Sequence, residues 1–251
     1  VRVLDLLYIL VTKISLLFLI FEISKQVNIK NEYKIFFFIL LSLIVLNFIS
    51  YNSNNFDLFV FREIPIILAL FFFIKTLNSH SNLNYFLIGF LSVFVFFWSI
   101  DRALVLNLFI FFILFLLIYN KKYRKLFILF FSILFFWLIF YFFLNEEFIL
   151  FINNTLLIIK EHSYVNGIIH PLPFTGEKNS TRATKVLLSI VFALIISISL
   201  FFKNEKKYSY NLKIIFFSLS IICFLSYIYA LGRSDGPHIK ESFSFPAIFF
   251  T

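Results

Sequence analysis

The chain contains no methionine, one cysteine, five glycines and five prolines, and only 14% of its 251 residues are charged. Each scarcity excludes something. With Cys223 alone there is no internal disulfide and no paired-cysteine metal site, and its setting in SLSIICFLSYIY reads as inert helix packing. Charge this sparse, beside 61% hydrophobic residues and a mean hydropathy of +0.97, excludes a water-soluble domain, where roughly 25% of residues are charged and about 45–50% apolar. The sequence has neither a glycine-rich phosphate loop nor an H-E-x-x-H metal motif, so ATP hydrolysis is not expected. Residue 1 is valine, and the last residues, FPAIFFT, open on another apolar run. Both ends therefore read as cut, and the chain is expected to be an internal part of a longer protein. No secretory signal is visible, because Asp5 and Lys13 interrupt the first apolar run.

What the chain has in abundance is phenylalanine, 42 residues of it. Together with the excess of Ile, Leu, Asn and Lys, this reads as the product of an A+T-rich genome rather than a special use of aromatic rings. A membrane-crossing helix takes about 20 mostly apolar residues. Runs of that kind fall at roughly 5–23, 34–51, 84–100, 103–119, 126–144, 185–202 and 213–231, with a shorter one at 64–77. The expected fold is all-α. It is a polytopic transmembrane helix bundle forming one domain over 1–251, with about eight spans and a long outer loop at 145–184. The first half of that loop, NEEFILFINNTLLIIKEH, is too interrupted to cross and reads as an amphipathic helix lying at the interface.

Short loops rich in Lys and Arg stay on the cytoplasmic side. Three connections qualify: SKQVNIKNEYK, NKKYRK and KNEKKYSYNLK. Eight alternating spans put all three on one side, which then holds twelve of the 22 basic residues and three of the 13 acids. The net +9 is thus a signal of topology, not a nucleic-acid footprint. The opposite face collects all five prolines and four of the five glycines, residues that mark turning, shaped chain.

Four polar clusters meet that outer face. In NFDLFVFREIP, Asp57, Arg62 and Glu63 precede Pro65, which suits a first helical turn; they either end a span at the headgroups or contribute to a site. In FFWSIDRALVLN, Asp101 and Arg102 separate two spans with almost no loop, either as a surface pair capping both helices or as ligands. Charge at that depth is costly unless paired or wet. The third cluster is GIIHPLPFTGEKNSTRATK, with His170 ahead of Pro171 and with Arg182 and Lys185 at the mouth of the next helix. A lone histidine is most often structural, but loops this long are usually functional. The fourth, LGRSDGPHIKE, is the densest: Arg233, Asp235, His238 and Lys240 stand between and beyond Gly232 and Gly236. Arginine offers a planar fork for phosphate and lysine a point charge, while Asp or His can move a proton.

The stretches ALGRSDGPHI, WSIDRALVLN and GIIHPLPF…TRATK together resemble uncharacterised bacterial members of the C-type integral membrane glycosyltransferases. The resemblance implies a multi-span bundle in the bacterial inner membrane with its site and polar loops on the periplasmic side. It implies a polyprenyl-phosphate-linked sugar as donor, a glycan or lipid acceptor, and a role in the cell envelope. In that family an acid in the first outer loop is usual; here that loop would lie upstream of Val1. Of the acids present, Asp101 and Asp235 are the catalytic candidates. Arg62, Glu63, Arg102, His170, Arg182, Arg233, His238 and Lys240 are the substrate-binding candidates, and Arg62, Asp101, His170 and Arg233 are expected to line one cavity. Membrane lipid is the remaining expected partner, nucleic acid is not, and no cofactor is expected. A divalent metal on the outer carboxylates has no motif behind it.

Three alternatives stay open. An O-antigen polymerase or ligase would share the topology, the long outer loop and the Arg/His sites. A multi-span transporter would place its site near the midplane at broken helices, for which only Gly89 and Lys13 stand well inside spans. A purely structural membrane protein is the fourth reading.

Overall fold

A computed structural model describes residues 2–26, 31–49, 62–79, 81–161, 172–176, 180–202 and 209–231. Among these the chain is helical throughout, without a strand: α1 (Arg2–Gln26), α2 (Asn31–Ile49), α3 (Ile64–Asn78), α4 (Asn82–Trp98), α5 (Ile100–Tyr119), α6 (Tyr123–Leu144), α7 (Glu147–Lys160), α8 (Ser180–Phe202) and α9 (Tyr210–Leu231). Continuous apolar runs leave the backbone no outside partner in an apolar setting, so the helix must satisfy its own N–H and C=O groups. The breaks come where the sequence supplies an alternative. Pro65 stands in the first turn of α3, where its missing N–H costs nothing. Ser99 alone, extended at φ −168°, separates α4 from α5. Asn145 ends α6 at φ 47°, a left-handed value that asparagine tolerates better than most residues.

Among the described residues, four helical stretches are long and apolar enough to cross a membrane: Ile100–Tyr119, Tyr123–Leu144, Ala183–Phe202 and Tyr210–Ile228. Shorter apolar helices accompany them, including Ile64–Asn78 and Asn82–Trp98. At 15 and 17 residues, α3 and α4 fall short of the about 20 that a straight crossing takes. The count of eight spans therefore rests on the sequence pattern alone. The helix expected early in the outer loop is present as α7, and Cys223 is buried as expected.

The core runs through α3, α4 and α5, flanked by α1 and α9, with Leu19, Ile20, Ile66, Leu70, Ile74, Ile88, Leu106, Phe109, Ile113, Ile215 and Ile222 sealed inside it. Outside it, α6 and α8 present bare apolar faces. Phe142 and Phe143 are 76% and 84% exposed. Water would penalise that surface at about 25 cal/mol per Å²; lipid tails do not, and the pattern is that of a protein in contact with membrane lipid.

Without a hydrophobic drive between helices in lipid, close approach and hydrogen bonds have to hold the bundle. At Gly89, α4 meets α6 so closely that a Cβ would stand 2.6 Å from the Cβ of Ser132 and 3.2 Å from the backbone nitrogen of Ile133. The Ser132 hydroxyl donates to the Phe86 carbonyl at 2.8 Å. Between α4 and α5, the Ser92 hydroxyl donates to Asn107 Oδ1 at 2.6 Å, and Asn107 Nδ2 donates to the carbonyls of Ser92 and Ala103 at 3.0 and 2.9 Å. Between α8 and α9, Ser197 and Ser220 share a hydroxyl–hydroxyl bond of 2.7 Å. Gly89 is thus explained by packing, and α4 runs unbroken through it.

Three long-range bonds define the ends of the bundle. The Tyr210 hydroxyl donates to Asn120 Oδ1 at 3.1 Å, and Asn211 Nδ2 donates to the Leu77 carbonyl at 3.2 Å. The start of α9, the end of α3 and the α5–α6 turn therefore share one end. At the other, the buried Tyr227 hydroxyl donates to the Ala183 carbonyl at 2.9 Å, joining the last turns of α9 to the first turn of α8. Phe97 stacks there on Phe140 and on Phe151 of α7.

Candidate charge cluster at one end of the bundle

The α4–α5 break and the start of α3 meet at this second end. Ser99 gives α5 an abrupt start, which puts Asp101 and Arg102 in its first turn; Pro65 does the same for α3, leaving Arg62 and Glu63 just ahead of it. The two dipeptides have opposite order, Arg-Glu against Asp-Arg. Laid side by side they pair across rather than within: Arg102 Nη2 lies 2.7 Å from Glu63 Oε1, and Arg62 Nη1 lies 3.9 Å from Asp101 Oδ2. The Ser99 hydroxyl also donates to Asp101 Oδ1. Both acids stand at helix N-termini, where the helix dipole favours negative charge.

The two pairs differ in kind. The side chains of Arg102 and Glu63 are 3% and 11% exposed, while Arg62 and Asp101 are 38% and 15% exposed. The first is a sealed, hydrogen-bonded contact. The second is longer than a hydrogen bond, with Arg62 its more exposed member. Burial pushes the Glu63 carboxyl above the ordinary carboxylate range against the pull of the Arg102 guanidinium, and the Asp101 charge adds to the rise. Desolvation dominates because it penalises the charged form in full, whereas one contact returns only part.

Of the residues expected at the site, Arg62, Glu63, Asp101 and Arg102 are thus brought together. The reading of Asp101 and Arg102 as a pair with each other gives way to pairing across helices, since neighbours on one helix point apart. Arg182 lies in the first turn of α8, at the same end. Asp57, His170, Arg233, Asp235, His238 and Lys240 lie outside the described residues. The shared cavity expected for Arg62, Asp101, His170 and Arg233 therefore reduces to the approach of the first two.

Some of what shapes this end carries no motif. Ser180 and Thr184, within NSTRATK, tie the chain at 172–176 to the start of α8. The Ser180 hydroxyl donates to the Leu172 carbonyl at 2.9 Å and accepts from the Thr175 N–H at 3.0 Å. Thr184 Oγ1 accepts from the Phe174 N–H at 2.8 Å, holding Phe174 at φ 65°. Hydroxyls near a helix start are a capping signal, and that signal was available in the sequence. Asn107 and Ser92 were also legible, as polar residues inside apolar runs. Among the described residues no three His, Cys, Asp or Glu side chains gather as a metal site requires.

Compared with protein-family models, with characterised proteins and with solved structures, the chain matches none.

Proposed function

We propose that this chain is part of a membrane glycosyltransferase that moves a sugar from a polyprenyl-phosphate donor to a glycan or lipid acceptor. In this reading the chain crosses a bacterial inner membrane about eight times, with the charge cluster at the periplasmic surface and the lysine-rich turns in the cytoplasm. One observation carries it. The cluster holds a sealed pair, Arg102–Glu63 at 2.7 Å, beside an open one, Arg62–Asp101 at 3.9 Å. The sealed pair fixes α5 against α3. The second pair sets a partly exposed cation beside a carboxylate that is 15% exposed, at a separation longer than a hydrogen bond.

Those are the two groups the chemistry needs. Arg62 turns from Asp101 to the donor phosphate, for which its planar fork is suited. The acceptor hydroxyl oxygen attacks the anomeric carbon, its proton passes to the Asp101 carboxylate, and the sugar–phosphate bond breaks with its electron pair leaving on the polyprenyl phosphate. General-base help of this kind contributes typically about 10²–10⁴-fold. Arg182, Arg233, His238 and Lys240 supply further phosphate contacts in this reading, and Asp235 is the other candidate base.

The test uses the full-length protein in proteoliposomes with polyprenyl-phosphate mannose or arabinose as donor. Asp101→Asn should lower transfer by about 10²-fold or more, and Arg62→Gln should weaken binding of undecaprenyl phosphate alone. Transfer and binding untouched by both changes would remove the cluster from the chemistry. Preference for a diphosphate-linked donor would favour a polymerase or ligase.

A further inference from the structure

The opposite end of the bundle carries a second feature. Asn82 at the start of α4 and the run Lys121, Lys122, Tyr123, Arg124, Lys125 line one open hollow of about 320 Å³. Among the described residues that line it, four of six are cations and none is an acid. The α5–α6 turn is built to gather them. Lys121 takes φ 55°, a left-handed value that a non-glycine residue adopts only at a cost, and its N–H and that of Lys122 donate back to the Ile118 and Leu117 carbonyls at 2.9 and 2.8 Å. This folds the turn tightly enough for Lys121 and Lys122 to share a wall with Arg124 and Lys125 of the following helix. Lys125 is further held over the Tyr85 ring of α4, its Nζ 5.5 Å from the centroid.

From these residues we infer a binding site for a phosphate-class anion, filled by the headgroup of an anionic phospholipid of the adjoining leaflet. Keeping a loop on one side of the membrane requires only that cations be near the surface. It does not require them to converge on one concavity with no carboxylate in its lining, where like charges repel. A phosphodiester relieves that repulsion and accepts hydrogen bonds from several donors at once. The starts of α4 and α6 add to the field, since neither Ser81 nor Lys122 caps its helix with a side chain and helix N-termini favour anions. The surroundings fit a lipid. Leu83, Tyr123 and Phe127 are 61%, 52% and 55% exposed beside the hollow, offering acyl chains an apolar surface next to the charged one. Basic pockets between membrane helices recognise headgroups in this way.

The inference is independent of the glycosyltransferase reading, because the hollow lies at the other end of α4. The experiment uses the full-length protein in detergent, where orientation across a membrane no longer matters. Its thermal stability is measured with phosphatidylglycerol, with phosphatidylcholine and with inorganic phosphate at equal concentration, and bound lipid is counted by native mass spectrometry. Phosphatidylglycerol should be retained about tenfold more than phosphatidylcholine. The preference should disappear in Lys121→Gln/Lys122→Gln/Arg124→Gln/Lys125→Gln. The milder Lys121→Gln/Arg124→Gln, which changes two exposed residues, should reduce it and serves if the fourfold variant does not fold. Equal stabilisation by inorganic phosphate would assign the site to a free phosphate. Equal retention of both lipids without any effect of phosphate, or a preference undiminished in the double variant, would overturn the inference.

Discussion

The two ends of this bundle handle charge in opposite ways. At one, two cations and two acids face each other across α3 and α5, and the closer pair is buried. At the other, four cations from the α5–α6 turn and the start of α6 line a hollow that, among the described residues, has no acid in its lining. A buried charge in an apolar bundle has to be neutralised by protein groups, since each ion taken out of water costs several kcal/mol. A charge near the headgroups can be neutralised by what lies outside the protein. The first end is therefore specified by tertiary contacts, while the second, in the inference drawn above, is completed by its surroundings.

The sharpest way to break this comparison is at Arg102. Arg102→Leu leaves Glu63 buried without its cation, and we expect a loss of about 3–5 kcal/mol in stability, read as a fall in the unfolding midpoint in detergent. Adding Glu63→Leu should restore most of it. If the double change is as damaging as the single one, the pair is not what joins α3 to α5.

Midway between the ends the control is steric. Gly89→Ala drives a methyl into Ser132 and should cost about 1–3 kcal/mol in the same assay, with Gly89→Ala/Ser132→Gly recovering part. At the second pair, Arg62→Gln should cost only about 0–1 kcal/mol, since a partly exposed contact at 3.9 Å contributes little to stability; in the proposed reading its effect is on donor binding. A loss as large as that of Arg102→Leu would abolish the distinction between the sealed and open pairs.

The smallest expected effect is on pH dependence. The Glu63 carboxyl is raised from 4.5, so the folded protein binds more protons than the unfolded chain above that pH. Stability should then decline as pH rises from about 4.5 to the raised value, and level off beyond it. Glu63→Gln should flatten this segment of the stability–pH curve. A curve that climbs over the same range would mean that Arg102 outweighs burial.

Much of this was legible in the sequence. The apolar runs foretold the helices to within a few residues; Pro65 marked one start, and the break read at Asp101-Arg102 falls at Ser99, with both charges in the first turn of α5. Arg62, Glu63, Asp101 and Arg102 stood out as charges at span ends, either closing those spans at the surface or contributing to a site. Their partners did not: the chain places Asp101 next to Arg102, and only the packing of α3 on α5 exchanges that neighbour for Arg62. The Ser92–Asn107 and Ser197–Ser220 bonds were likewise visible as polar residues but not as pairs, because pairing depends on which helix faces which.

The amino-acid sequence by itself determined that this protein is helical and lives against lipid. Backbone groups in an apolar run have no other partners than each other, whatever lies beside them. Which charges are neutralised inside and which are left to the surroundings was decided by tertiary structure alone. That outcome depends on distances between helices remote in the chain, and at 2.7 Å against 3.9 Å the same residue types become an internal tie or an open pair.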